Sequence, residues 1–545
     1  MRLRYRTAAG LSGLALAAGL IAGTAPAGAT THGRAATGPV SIRPSGTGHG
    51  VLVRSVNVRA AASGPQIAPH PWNSGPLGRN GKEAGSTLPT RPSTGAKPHP
   101  AGPAAPATPP SKINASFAGM HQGGSNCGSC QPPDPNAAVG ATRIAHVVNL
   151  RLQVYTKSGT SQCGIGLNTL LGTGARLSDP HILYDNINKR FFMVVIPVPA
   201  TDSDTPTEFL LATRTADPCG SWFVYTVMFH GGPFPAGTLM DYPYLGQDNV
   251  PSSGFPAGGA ILSSTNDFCC SSNNFRTYEN SEAFAIPKHP VFHGMGFSFS
   301  TFGVDFSTAP VTQGGIPTTS TSNTYWLASV PGFGYDLFVM THSSDPTSTT
   351  LALQDSISAP FKPPSRRVNQ PGTKRTLDPL DGRIDWTPTR AGKFIWFTHG
   401  IDRSGFPSVR YGTINVSTNA ATVASAFHGS TSDDFNPSIA VFPAASTTVF
   451  AWLNWAYTNT PQGVPTTVAV NGLLPTTGIH NLIGTDKKII TGTSTSNFRF
   501  GDFSSVEVDP VAASSTCAKG RTAVMAQEYF NGSGWLTRVV RASFC

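Results

Sequence analysis

Charge is what this 545-residue chain has least of: 12% of its residues are Asp, Glu, Lys or Arg, about half the ~25% usual for a globular protein. The formal net charge of +10 is unevenly placed. The first 112 residues hold twelve Lys and Arg and one acid, Glu83, whereas the other 433 carry 26 basic and 27 acidic residues. A folded part without a basic excess excludes nucleic acid as the expected partner. No amphipathic helix of more than two turns stands out, which excludes a helical bundle. Beyond the N-terminus no apolar run reaches the length of a membrane span. Also missing are a His-Glu-x-x-His pair, a Gly-x-Ser-x-Gly elbow, a phosphate loop and a helix-loop-helix calcium loop, so no motif names a reaction or implies a cofactor or metal. A structural calcium ion on Asp202, Asp204 or Asp433 with Asp434 is conceivable, but short acidic pairs in polar loops are ordinarily just solvated.

What is abundant is Gly and Pro, 58 and 47 residues, a composition of short strands joined by turns. Arg2, Arg4 and Arg6, an apolar run from Ala8 to Gly23 and the small-residue site Ala27-Gly28-Ala29 read as a secretory signal peptide over 1–29. Residues 30–112 contain almost no acid, and Ser63 to Lys112 holds twelve prolines in 50 residues. That composition predicts a disordered, basic Pro/Gly/Ala-rich spacer, a solvated linker or a segment resting on an anionic surface. The expected location is secreted, extracellular or associated with a bacterial cell surface, and the expected state monomeric.

All eight cysteines lie beyond residue 112, and an even number in an exported chain favours disulfides. The segments 522–530 and 535–544 flank the turn Asn531-Gly-Ser-Gly534, a hairpin signal. Folding that hairpin brings Cys545 back beside Cys517, which predicts a bond clamping the end of the chain. Cys127-Gly-Ser-Cys130 has the spacing of zinc and redox sites. Without a second such pair it reads as a local disulfide. Adjacent Cys269 and Cys270 are expected to pair with two distant thiols.

From residue 113 onward one grammar repeats: a turn carrying Asp-Pro or a related pair, then short strands of β-branched and aromatic residues. Asp134-Pro135, Asp179-Pro180, Asp241-Tyr-Pro243, Asp378-Pro379, Asn436-Pro437 and Gly501-Asp502 mark it. One interval is about twice the others and contains strand-like 324–330 and 335–342, so a further unit belongs there. The reading is an all-β, seven-bladed β-propeller over 113–545, with six or eight blades as alternatives. Asn114 to Ala118 would supply a strand to the last sheet and close the ring.

The stretches Pro132-Pro-Asp-Pro-Asn-Ala-Ala-Val-Gly140, Asp179-Pro-His-Ile-Leu-Tyr-Asp185, Asp217-Pro-Cys-Gly-Ser-Trp222, Asp241-Tyr-Pro-Tyr-Leu-Gly246 and Arg499-Phe-Gly-Asp-Phe-Ser-Ser505 resemble those of a broad group of secreted bacterial propeller proteins with no settled activity. The resemblance spans nearly all of 113–545, implies the same fold, and carries over no catalytic residue. The turn from Thr215 to Trp222 is also similar to the Asp-box turn of sialidase-like propellers, where it is structural.

Because charge is scarce, its concentrations are informative. Asp179, His181, Asp241, Asp381, Arg383 and Asp502 are the catalytic candidates, and Tyr242, Asp385, His399 and Arg499 the candidate ligand contacts. If the landmark turns superpose, these groups converge at one mouth of the central channel. Two carboxyls there could work on a glycosidic bond, or an Arg could neutralise a uronic acid while His181 or Tyr242 acts as base. The competing reading is structural, with Asp bonding turn amides and Arg locking Asp. Trp386, Trp396, Trp452, Trp455 and Trp535 read as core rather than as sugar-stacking platforms. The function expected is a binding or interaction module for an extracellular glycan or protein. The alternatives are a glycoside hydrolase or polysaccharide lyase, and a purely structural surface protein.

Overall fold

The computed structural model describes residues 38–72, 77, 112–123, 130–252, 258–313, 318–442, 450–473, 479–495, 499–532 and 534–545. Within them the chain forms seven successive four-stranded antiparallel units, at 136–166, 177–230, 239–304, 309–358, 389–427, 433–491 and 505–543. The last has three strands of its own and takes its fourth from β3 (Lys112–His121), which pairs with Gly534–Ser543. The innermost strand of each unit touches those of its neighbours, the fourth and fifth through a bridge between Thr312 and Thr389 and the seventh against the first, so the ring closes. This is a β-propeller, and the strand from just after the Pro-rich stretch closes it as the sequence suggested.

The innermost strands explain where the scarce charges went. Leu177–Asp185, Leu239–Gln247 and Asp433–Val441 are buried at every position, because both faces pack against adjacent units. Polar residues on them must therefore find partners inside the protein. Asp134-Pro135, Asp378-Pro379 and Gly501-Asp502 precede the innermost strands of their units, as expected, but the other three landmark pairs do not. They sit within or at the head of them, as bulges between Ser178 and His181, between Asp241 and Tyr244, and between Phe435 and Ser438. Asp134, Asp179, Tyr242 and Asn436 each precede a proline and each adopt a positive φ of 47 to 53°. Proline has no N–H for the ladder, so a bulge is where a strand tolerates it.

The expectation of a wholly disordered 30–112 spacer is corrected over 38–72. Strand β1 (Val40–Ile42) extends the outer edge of the fourth unit opposite Leu351 to Leu353. Strand β2 (Pro44–Asn57) lies between the outermost strands of the second and third units, Ser221–His230 and Phe297–Val304, and pairs with both. Two units are thereby fused into one nine-stranded sheet. Low apolar content misled because β2 contributes glycine and its neighbour contributes the ring. A Cβ on Gly48 or Gly50 would run into Phe299 or Phe297. Helix α1 (Val58–Ala62), capped by Asn57 accepting from the Ala60 N–H at 3.1 Å, buries Val58 beside the first unit. The chain then crosses a face of the ring: the Trp72 N–H donates to Leu177 O at 3.1 Å, and Leu77 is buried. Residues 1–37, with the expected signal peptide, and 78–111 lie outside the described residues.

Cys517 and Cys545 are bonded as expected. Cys163 pairs with Cys219, and Cys130 is disulfide-bonded while Cys127 lies outside the described residues. Cys269 and Cys270 bond to each other, which corrects the expectation of distant partners; the other described thiols are taken. The five tryptophans read as core are buried. No helix among the described residues is long and apolar enough to cross a membrane.

Candidate functional site

The heads of the innermost strands and the segments leading into them do converge. Asp134, Asp179, Asp241, Asp378, Asp502 and Glu528 all feel the charge of Arg499, which is buried among them. Convergence is not availability, however. Asp502 is clasped by Arg499, and its own N–H donates to Asp134 at 2.6 Å. Asp134 also accepts from Asn149. Asp179 accepts from the Ser178 hydroxyl at 2.6 Å, and Glu528 from the Gly501 N–H at 2.6 Å. Asp378 accepts from the Leu380 N–H at 2.8 Å. Asp381 takes two bonds of 2.8 Å from Arg383. Asp241 accepts from the Leu77 N–H at 2.9 Å.

Burial pushes Asp241 and Asp378 up to about 6. It raises Asp179 further, aided by the charges of Asp134 and Asp241, and raises Asp134, Asp502 and Glu528 as well. Burial acts on Asp381 in the same sense, but the charge and hydrogen bonds of Arg383 outweigh it and hold this carboxyl below its usual value. Each of these carboxyls thus holds at least one internal partner, the arrangement the structural reading describes, although Asp241 Oδ1 and Glu528 Oε1 are buried without a hydrogen bond.

Beneath it the channel is closed by aromatic rings. Tyr242 packs on Phe503 at 4.4 Å, and Phe503 meets the edge of His181 at 4.3 Å. The other neighbour of His181 is Trp386, at 5.6 Å. Burial lowers His181 to about 3 and leaves its ring nitrogens without hydrogen-bond partners. The Tyr242 hydroxyl donates to Asp502 O at 3.4 Å, and burial raises it well above the usual phenol range. Neither is placed as an accessible base. Asp385 is buried and its carboxyl raised by burial and by the charge of Asp381. His399 is not brought to the mouth. It sits between the fourth and fifth units, with Nδ1 donating to Gly400 O at 3.0 Å and Nε2 accepting from the Tyr335 hydroxyl at 2.9 Å. Its place mid-strand, paired with Arg410, sets it apart from the landmark turns.

The carboxylates of the calcium expectation are engaged too. Asp433 pairs with Arg366, Asp434 accepts from the Trp455 indole at 2.9 Å, Asp202 from the Ser272 N–H at 2.9 Å and Asp204 from the Ala200 N–H at 2.7 Å.

Open space lies beside Asp381 and Arg383 and also at the far end of the ring. A cavity of about 190 Å³ occupies the opposite end of the channel, where the innermost strands finish. Asp179 and Asp185 lie six residues apart on one strand, so the two ends are about 20 Å apart. Trp386, Thr387, Asn186, Asn249, Glu507 and Lys519 line this cavity. Glu507 accepts from the N–H groups of Val139 at 2.9 Å and Tyr184 at 3.3 Å, and burial pushes its carboxyl up to about 8. Asp185 is neutralised by buried Lys288 at 2.7 Å. Asp509 is neutralised by Lys157 at 2.7 Å and Arg541 at 3.0 Å. Sequence reasoning missed this end. Its one usable signal was Glu507, a lone acid within an innermost strand.

No family model and no curated protein matches the chain. Among solved structures, a chain from the S. cerevisiae assembly of Dbp5 bound to Nup159, Gle1, IP6 and ADP overlaps at a TM-score of 0.36, with 8% identity over 81% of this chain and 97% of that one. Synechocystis apocarotenoid oxygenase overlaps at 0.33, with 10% identity over 65% and 74%. The exo-β-1,3-galactanase of Phanerochaete chrysosporium overlaps at 0.30, with 9% identity over 78% and 96%. Overlaps this low carry no argument, and the fold rests on the strand topology.

Proposed function

We propose that the protein is a binding module that takes a small neutral polyol unit, such as one residue of an extracellular glycan, in the cavity at the finishing ends of the innermost strands. The observation that carries this is the cavity's charge balance. An indole, three amides, three threonine hydroxyls, the rim ammonium of Lys519 and a carboxyl raised to about 8 line it, and the carboxylates of Asp185 and Asp509 are paired. Hydrogen-bonding groups without an unpaired carboxylate around an aromatic surface suit a sugar ring, with the Lys519 ammonium at the exposed rim as a further donor. At about 190 Å³ the cavity is below the ~300–1,000 Å³ of drug-sized pockets, which suits a single ring. A hydrolase or lyase at the other mouth has less support, because Asp179, Asp241, Asp381 and Asp502 there each already serve an amide, a hydroxyl or a guanidinium.

The test is a panel of neutral glycans titrated against the full chain by calorimetry, with Asn186→Ala combined with Lys519→Ala, both exposed rim residues. Binding at least tenfold weaker in the double variant is expected, about 1.4 kcal/mol. No binding across the panel, or binding that ignores the double variant, refutes the assignment.

A further inference from the structure

Leu77 does something that the outer pairing of β1 and β2 does not explain. Its N–H donates to Asp241 Oδ2 at 2.9 Å, and its carbonyl accepts from Arg383 Nη2 at 3.0 Å. The donor and the acceptor of one peptide residue are thus both held by ionisable side chains from the ring. The Leu77 side chain is 5% exposed, in an apolar pocket with Trp72, Ile196, Val198, Leu239 and Phe268.

The receiving groups are held in place by the ring itself. Asp381 grips Arg383 through two bonds of 2.8 Å. The guanidinium lies 4.6 Å from the Tyr242 ring centre and 5.1 Å from that of Phe306, and Asp241 sits at the bulge of its innermost strand. A cavity of about 260 Å³, lined by Asp381, Arg383, Ser329, Asp305 and Phe306, adjoins them. Charge-assisted bonds to main-chain N–H and C=O bind an extended peptide whatever its sequence, and a pocket for one side chain adds selectivity.

We infer that this mouth of the channel is a docking site for an extended peptide segment presenting an aliphatic residue, and that the chain's own Leu77 occupies it. The site is separate from the glycan cavity and does not depend on that reading. A second segment gains access when Leu77 is displaced, so tethering of the chain's own residue sets the threshold.

The experiment uses a fluorescein-labelled peptide with the sequence of residues 68–80 and the full-length protein, followed by anisotropy. The parent should bind it weakly, and Leu77→Asp at least tenfold more tightly, because the competing residue is ejected. Adding Arg383→Gln to Leu77→Asp should cost that gain, as should a peptide with Asp in place of its Leu. Leu77→Ala, a milder change, provides the same comparison if the Asp variant unfolds. Peptide binding equal in parent and Leu77 variants overturns the inference. So does a stable Leu77→Ala protein that binds no peptide, which would make the contact a clasp and nothing more.

Discussion

Replacing Glu507 with Gln tests whether the cavity is neutral. In the unfolded chain a glutamate titrates near 4.5, whereas burial holds the folded Glu507 at about 8. Between those values the native state keeps a proton that the unfolded state has released, so stability falls as pH rises. The contribution is unimpaired below about pH 4.5, declines by up to about 1.4 kcal/mol per pH unit, and levels off above about pH 8, with a ceiling of about 5 kcal/mol. Part of the side chain lines the cavity, so screening by solvent trims the expected loss to about 2–3 kcal/mol. Gln cannot ionise but gives up one acceptor to the Val139 or Tyr184 N–H, a pH-independent cost of about 1 kcal/mol. Glu507→Gln should therefore be less stable than the parent at pH 4.5, cross it at about pH 5 to 5.5 and exceed it at pH 9. Urea unfolding of both proteins at four pH values reads the difference directly, and other raised carboxyls, such as Glu208 at about 8, cancel in the comparison. A difference independent of pH would show that Glu507 is not held protonated, and the argument for a neutral sugar site would lose its basis.

Two further outcomes concern the frame. Gly48→Ala sets a methyl group against the Phe299 ring and should cost about 1–3 kcal/mol, with faster amide exchange confined first to 44–57 and 297–304; unchanged protection there contradicts the packing. Cys545→Ser opens a link between residues 28 apart and should lower stability by about 3–4 kcal/mol in thermal unfolding, whereas a loss under 1 kcal/mol would mean that the terminal hairpin holds without it.

The ring was legible because its punctuation is chemical. Proline has no donor and the residue before it takes an unusual φ, so Asp179-Pro180 and Asn436-Pro437 stand out in any reading of the chain, and they mark the innermost strands. Asp241, Asp502 and Arg499 were recognisable as a converging group for the same reason. What the sequence could not show is that their bonds are already made: the partners of Asp134 and Asp241 are backbone N–H groups, of Asp502 and Leu77, and every residue type but proline carries one. Strand β2 was hidden by composition. Its glycines look like linker until the phenylalanines that cover them are placed opposite, and those belong to the third unit. The neutral cavity was hidden because its lining comes from strand ends far apart in sequence, each with one ordinary polar residue.

The position of β1 and β2 also sets an order of assembly. The strands that pair with them belong to the fourth, third and second units, and the partner of β3 is the last strand of the chain. Strands β1 and β2 thus wait for partners up to about three hundred residues further on, and β3 for the last strand, and such distant pairings form slowly. Once they close, the rim of three units and the seam of the seventh are secured by one continuous N-terminal stretch, so the nascent chain commits to its final shape only when its far end is in hand.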